Sequence, residues 1–388
     1  MPQFLQATAQ EHVNTIRANA PHYFRDFSDL TQRGHALLNL MKMYGMIEYN
    51  AGNAANIWQI AVREPDVNVA ADTTRKTFAN SDVYEQAQVD VRGLETNDML
   101  TEKQWKMNQN VDGSRLINLY ENKMKNLGTT MMRRVQEFIY RDGDSASYSN
   151  SFQGFESALD DGTVVAGDRV AAPSDTYAGH STALAGFGGS WTSDLPAADR
   201  YNASTANDWP YGQGTSDYDA WSPVLWNWSS TAWGSGTTLW TDNVEEVVRE
   251  AEAVMRSRNG YMNSGDAPIC LLLAPNLYSG AKNYYSTRMR IYQPFSGGDQ
   301  GFPQDTMHID GVVLKSDYSI PANTGYAVCP QHMELFTLPT MNGGGPDAMF
   351  DVFGPTWTEQ FAAYLMRVSV FGNLRMSPKF MMKFNNYA

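Results

Sequence analysis

Cysteine is nearly absent from this chain of 388 residues, which has only Cys270 and Cys329. Two thiols this far apart in sequence cannot make a disulfide framework. The expected state is a pair of buried free thiols, with a single bridge between neighbouring strands as the other arrangement open to them. Histidine is scarce too. His12, His22, His35, His180, His308 and His332 have no companion at HxH, HExxH or CxxC spacing, so no metal-ligand set or cofactor site is expected. Long apolar runs are also missing. Ile269 to Ala274 is among the longest, far short of the roughly 20 residues of a membrane helix. Met1 to Ala20 lacks the apolar core of a signal peptide. The expectation is a soluble, non-secreted protein with no membrane partner.

Positive charge is thin where the chain is most charged. No lysine occurs between Lys125 and Lys282. From Asp142 to Asp266 there are 18 acidic and 5 basic side chains, so this segment carries the whole net charge of −13, while the remainder holds 24 of each sign. Tight non-specific binding to nucleic acid needs clustered Lys and Arg to displace counterions. No such cluster exists here.

A core, in contrast, is well provided for. Hydrophobic residues make up 42% of the chain, which argues against global disorder, and the length suits two or three packed domains. Residues 1–52 read as a polar arm with short helical pieces, broken at Pro21 and Gly34. Two runs of period two follow, Trp58, Ile60 and Val62 in the first, Ala87, Val89 and Val91 in the second, and both predict strands. The polar stretch between them, Glu64 to Tyr84, is too long for an ordinary hairpin and reads as an arm reaching a neighbour. Ile117, Tyr120, Met124, Leu127, Met131, Val135 and Phe138 recur at steps of three and four. They predict a long helix from Val111 to Arg141, stopped by Asp142–Gly143.

Beyond Gly143 the composition turns to Gly, Ser, Thr and Asp, and seven of the ten tryptophans lie between there and Trp240. That pattern predicts loop-rich β structure with aromatic plugs. A second helix is expected from Val244 to Arg258, with Asp242 and Glu245 as a capping box and Asn259–Gly260 as its stop. Pro268 to Ala274 reads as a buried central strand closed by Pro275. Further strands are expected at Met307–Lys315, Gly325–Val328, Met333–Leu338 and Phe361–Phe371.

Chemistry has few footholds. Gly143-Asp144-Ser145 resembles the serine block of GDS-type hydrolases, and Asp305 and His308 have the spacing of their acid and base. Such a nucleophile needs a tight turn leaving a buried strand, whereas Ser145 follows a helix and opens a Ser-rich loop. The Gly and Asn blocks of an oxyanion hole are missing between the two motifs. Asp160-Asp161-Gly162 reads as a turn rather than an acid–base pair, since adjacent strand residues face opposite ways. The tryptophans could form a glycan-binding platform, but without a periodic motif core packing is the better reading. No catalytic, cofactor-binding or metal residue is nominated.

The order of these features resembles the major capsid proteins of tailed bacteriophages, the Hong Kong 97-type fold, from about residue 53 onward. The over-long hairpin looks like that family's extended loop, and the helix ending at Arg141-Asp142-Gly143 looks like its spine helix. Gly154 to Gly162 and Thr176-Tyr-Ala-Gly-His180 resemble the entry to its axial domain. Ile309 to Pro321, Gly325 to Val328, Met333-Glu-Leu335 and Gly372-Asn-Leu374 before Pro378 resemble its later stretches. The resemblance implies an α+β fold with an N-terminal arm (1–52), an extended hairpin loop (53–98), a peripheral domain with the spine helix (99–150 and 339–388), and a mixed α/β axial domain (151–338). An insertion lies at about 184–218. It further implies a structural, non-enzymatic coat protein that self-assembles into pentamers and hexamers of an icosahedral shell. Such a shell encloses double-stranded DNA without reading its sequence. Portal, separate scaffolding and decoration proteins would be its partners, the host cytoplasm its place of assembly and the virion its destination.

Overall fold

The computed structural model describes residues 36–49, 55–61, 84–109, 113–159, 169–171, 173–183, 221–258, 269–288, 306–309, 312–340, 348–360 and 362–386. The arm before residue 36, most of the Glu64 to Tyr84 stretch, Asp160–Asp161, Asp305 and the 184–218 insertion lie outside the described residues.

In chain order the helices are α1 (Ala36–Met43), α2 (Glu102–Gln109), α3 (Gly113–Ile139), α4 (Trp240–Arg258) and α5 (Pro275–Arg288). The strands begin with β1 (Ile47–Glu48), β2 (Ala55–Ala61), β3 (Tyr84–Asp90), β4 (Arg92–Thr101), β5 (Val170–Ala171), β6 (Thr176–Tyr177), β7 (His180–Ser181) and β8 (Val224–Asn227). They continue with β9 (Cys270–Leu273), β10 (Thr306–Ile309), β11 (Val312–Ser316), β12 (Gly325–Val328), β13 (Met333–Thr337), β14 (Asp351–Thr358), β15 (Ala363–Met376) and β16 (Met381–Asn385). The chain forms two compact units, one within 1–54, 90–154 and 334–375, the other within 55–89, 155–333 and 376–388.

The first unit is a helix on a sheet. Its five strands run β1-β13-β15-β14, with β4 also on β15. The β4–β15 pairing is antiparallel and unbroken from Thr101↔Ala363 to Arg92↔Gly372. Helix α3 packs on β4, about 40 Å long at roughly 1.5 Å per residue. Met124, Leu127, Met131, Met132, Val135 and Ile139 are buried while Lys125, Asn126, Arg133 and Arg134 are exposed, as the spacing of three and four predicts. Bonds from Tyr140 N to Glu137 O and Arg141 N to Phe138 O tighten its last turn before Gly143.

The second unit holds a seven-stranded sheet, β10-β11-β9-β12-β16-β8-β5. Both faces are covered. Leu271, Leu273, Leu314, Ala327, Met382, Phe384, Val224 and Trp226 form one cluster with Val244, Val247, Val248, Ala251 and Val254 of α4 and Leu277 and Tyr285 of α5. On the opposite face Tyr326 meets Phe155 edge-on at 5.3 Å. Double coverage explains why β9 is an unbroken apolar run rather than an alternating one. Cys270 lies opposite Val328, so Cys329, the next residue, points to the other face. Both thiols are free and buried, and burial pushes that of Cys270 up to about 12.

Two readings need correcting. Helix α4 starts at Trp240, so Asp242 and Glu245 are inside it and form no capping box. Asp242 accepts the Thr237 hydroxyl at 3.0 Å, and Glu245 accepts from Tyr284 and pairs with Arg249 at 2.7 Å. The reciprocal box stands instead at the start of α2, where Gln104 N donates to Thr101 Oγ1 at 3.4 Å and Thr101 N to Gln104 Oε1 at 3.3 Å. The expected single strand Met307–Lys315 is a hairpin, with Ile309 registered on Val312.

Candidate assembly surfaces

In the second unit, β2 and β3 pair as a two-stranded ribbon. Such a ribbon is marginal in water by itself. Near its base Ala87 and Val89 are buried, but farther out Ile57 and Tyr84 are 52% and 68% exposed, with Trp58 and Ile60 half-buried. Ile57, Trp58, Gln59, Tyr84, Glu85 and Gln86 line an open cavity of about 350 Å³. Exposed aromatic and β-branched side chains on a narrow ribbon are apolar area left for something else to cover.

In the first unit, the sheet face away from α3 is also apolar in part. Met99 and Leu365 are directly opposite each other and both exposed. Phe371 is exposed over Gly93, where an added Cβ would come within 2.7 Å of its ring. Between these patches Arg367 lies over the Phe353 ring at 4.2 Å and faces Glu95 at 3.8 Å. Met99, Leu365 and Phe371 thus leave apolar area exposed on this face.

At the end of α3, the Gly143-Asp144-Ser145 turn is a structural anchor. Arg92 Nη1 donates to Gly143 O at 2.6 Å and to Ser151 O at 3.0 Å, and its Nη2 pairs with Asp144. Gln153 Nε2 donates to the other Asp144 oxygen at 2.8 Å. A Cβ on Gly143 would lie 2.2 Å from Phe152 O, so only glycine fits. The Ser145 hydroxyl donates to Asp142 O at 2.8 Å, which holds it in the turn. Neighbouring Asn373 donates to Asp90 O at 2.8 Å and accepts from Gln153 N at 2.8 Å. Asn373 falls in the Gly372-Asn-Leu374 stretch, but its role, like that of Arg92, has no spacing to read, since Asp90 and Gly143 lie 283 and 51 residues away.

Five of the tryptophans, Trp221, Trp226, Trp228, Trp233 and Trp240, are buried. Trp233 Nε1 donates to Asn227 O at 2.7 Å, Trp240 Nε1 to Leu277 O at 2.8 Å and Trp228 Nε1 to Asn323 O at 2.9 Å. They plug the core rather than present ring faces to a sugar. Three glutamates of the acidic segment, Glu156, Glu246 and Glu250, are partly buried in ion pairs. Glu246 and Glu250 flank Arg169 at 3.3 and 2.8 Å, and burial, offset by Arg169, raises the Glu250 carboxyl. Glu156 accepts from Lys383 at 2.7 Å and from Tyr326. Among the described residues no group of three or more His, Cys, Asp or Glu could hold a metal ion, and no helix is long and apolar enough to cross a membrane.

No protein-family model matches the sequence, and no curated protein sequence matches it. Solved structures do. The chain is similar to a cyanophage A-1(L) capsid asymmetric unit over 89% of its own length and 92% of that chain, with a TM-score of 0.55 and 12% identity. It is similar to the capsid of a native GTA particle computed with C5 symmetry over 90% of both chains, with a TM-score of 0.51 and 8% identity. The capsid of an empty GTA particle matches over 89% of this chain and 90% of that one, at 0.50 and 8%. The chain therefore has the mixed helix-and-sheet fold of phage capsid structures.

Proposed function

We propose that the chain is a structural coat subunit that assembles with copies of itself into pentamers and hexamers of an icosahedral shell around a double-stranded phage genome. The observation that carries this reading is the likeness of fold to the cyanophage A-1(L) capsid over 89% of the chain. In this reading 1–52 is the arm, 53–98 the extended loop, 99–150 and 339–388 the peripheral domain, and 151–338 the axial domain with its insertion at 184–218. A shell subunit has to bury modest interfaces many times over, in both five-fold and six-fold surroundings. The exposed ribbon with Ile57 and Tyr84, and the sheet face with Met99, Leu365 and Phe371, are surfaces suited to that use. The shortage of clustered Lys and Arg fits a protein that encloses DNA without gripping it. Portal, scaffolding and decoration proteins are its expected partners, and the virion, after assembly in the host cytoplasm, is its location.

A catalytic role has less support. Ser145 is engaged by Asp142 O and its neighbour Asp144 by Arg92, which gives the GDS-like motif a structural use. Electron microscopy of the expressed protein tests the proposal, with closed shells or capsomer rings expected. Protein that stays strictly monomeric across salt and crowding conditions while cleaving simple esters would overturn it. Shortening the 64–84 stretch to a tight turn should prevent stable shells while leaving the thermal midpoint of the subunit nearly unchanged.

A further inference from the structure

The β2–β3 ribbon is held from one side by a small, heavily anchored turn. Strands β6 and β7 pair through Thr176↔Ser181 and Tyr177↔His180, with Ala178 at φ +54° and Gly179 at φ +86° between them. Two left-handed residues in succession match the right-handed twist of the flanking strands and make a tight, stiff link. Its foundations are buried. Tyr177 stacks on Trp221 at 6.4 Å, and its hydroxyl accepts from Met376 N at 3.2 Å. Thr182, fully buried, bonds twice to Asp175 O, by its amide at 2.8 Å and its hydroxyl at 3.0 Å. Its own carbonyl accepts the Ser222 hydroxyl at 3.0 Å. A polar clasp of this kind is far more than a two-residue turn needs to exist.

What the turn presents is a pair of contacts to one edge of β3. Gln88 N donates to Ala178 O at 3.2 Å, and His180 Nε2 lies 2.9 Å from Gln86 O. Residues 86 and 88 are two apart, so their backbone polar groups point to the same edge of the strand. A carbonyl only accepts, so His180 carries its proton on Nε2. Its ring stands edge-on to Trp221 at 6.0 Å, which fixes the direction of the donor. The ribbon buries little beyond Ala87 and Val89, so these two bonds have unusual leverage over its direction.

We propose that the 176–181 turn is a brace that sets the direction in which the β2–β3 ribbon leaves its unit, with His180 as the positioning residue. The consequence for particles rests on the coat-subunit reading: a ribbon of fixed direction gives one curvature, and a loosened one gives several.

Hydrogen exchange on the full-length, unassembled chain tests the brace itself. In His180→Ala the Gln88 amide should exchange about tenfold faster, while residues 170–182 and the thermal midpoint stay as in the wild type. His180→Gln places an amide donor at similar reach and should restore slow exchange. Unchanged exchange at Gln88 in His180→Ala would overturn the proposal. So would faster exchange spread over 170–182 with a lowered midpoint, which would make His180 an ordinary stabilising residue. Micrographs of assembled material then test the consequence, with a broadened spread of diameters expected for His180→Ala and a single diameter for His180→Gln. One wild-type diameter in all three proteins would overturn the link to curvature. If the wild type forms no particles at all, the coat-subunit reading fails, and the exchange result still decides the brace.

Discussion

The side chain of Asn373 closes on the backbone of Asp90, its Nδ2 donating to that carbonyl at 2.8 Å. The same amide group accepts from the backbone N–H of Gln153 and of Leu374, each at 2.8 Å. Asn373 is fully buried, so water cannot replace these bonds if the side chain is removed. Asn373→Ala should cost about 2–4 kcal/mol, the desolvation penalty of orphaned buried groups. A lowered thermal midpoint with faster exchange around residues 90–92 is the expected result. Ser145→Ala, which removes one hydroxyl bond, should cost no more than about 1 kcal/mol. Equal losses for the two would mean that the Asn373 hub carries no special weight.

Helix α3 gives the second prediction. Met124 and Leu127 are 5% and 6% exposed and belong to the stripe facing the sheet. Met124→Asp or Leu127→Asp would bury a charge with no partner and should cost about 3–5 kcal/mol or prevent folding. Asn126→Asp, on the exposed face of the same turn, should stay within roughly 0.5 kcal/mol. Soluble, wild-type-like Asp variants at 124 or 127 would show that the stripe is not packed.

How far the sequence foretold this differs from element to element. Helix α3 was legible because its periodicity is carried by the residues that are buried, and strand β12 because it is a short run buried throughout. Helix α5 was not. Pro275 reads as the end of a strand, yet it also occupies the first position of the helix, where its missing N–H costs nothing. The helix includes Gly280, a weak helix former, and an added Cβ there would lie 2.8 Å from the Trp240 ring. Strand β4 was hidden by the polar run Glu95-Thr96-Asn97-Asp98, which has low strand propensity and is held by its ten-residue pairing with β15. The Arg92 and Asn373 anchors join residues up to 283 apart, a distance over which a single sequence gives no spacing to read.

The third prediction concerns charge buried under the seven-stranded sheet. Lys383 has a side chain only 5% exposed and donates to Glu156 at 2.7 Å and to Leu159 O at 3.3 Å. Lys383→Met would take the ammonium partner from the partly buried Glu156 carboxylate, at a cost of about 3–5 kcal/mol. Adding Glu156→Gln removes the charge that Lys383 had offset and keeps an acceptor for Tyr326, so part of the loss should return. A double-mutant cycle in chemical denaturation should give a coupling of at least about 2 kcal/mol. Additivity within roughly 0.5 kcal/mol would reject the pair as an energetic unit.

The fourth concerns pH and the short strand β1, which pairs in parallel with β13 through Ile47↔Leu335 and Glu48↔Phe336. Beside this pairing Glu334 forms an ion pair with Arg375 and a hydrogen bond with Glu48. Burial pushes the Glu334 carboxyl up from 4.5, Arg375 pulls it down, and Glu48 adds to the rise by its charge and its hydrogen bond. A raised carboxyl binds its proton more tightly in the folded state than in the unfolded one. The favourable contribution is therefore present at low pH and is lost as pH rises through the folded-state value, above which the charged group is a net cost. Glu334→Gln stays neutral throughout and keeps an oxygen for Arg375. The variant should thus melt higher than the wild type at pH 7, and the gap should close as pH falls towards about 4.5. Thermal midpoints of both proteins across this range decide the matter: a constant gap would show that burial and Arg375 cancel, and one that widens on acidification would show that Arg375 outweighs burial and that the Glu334–Arg375 pair is favourable.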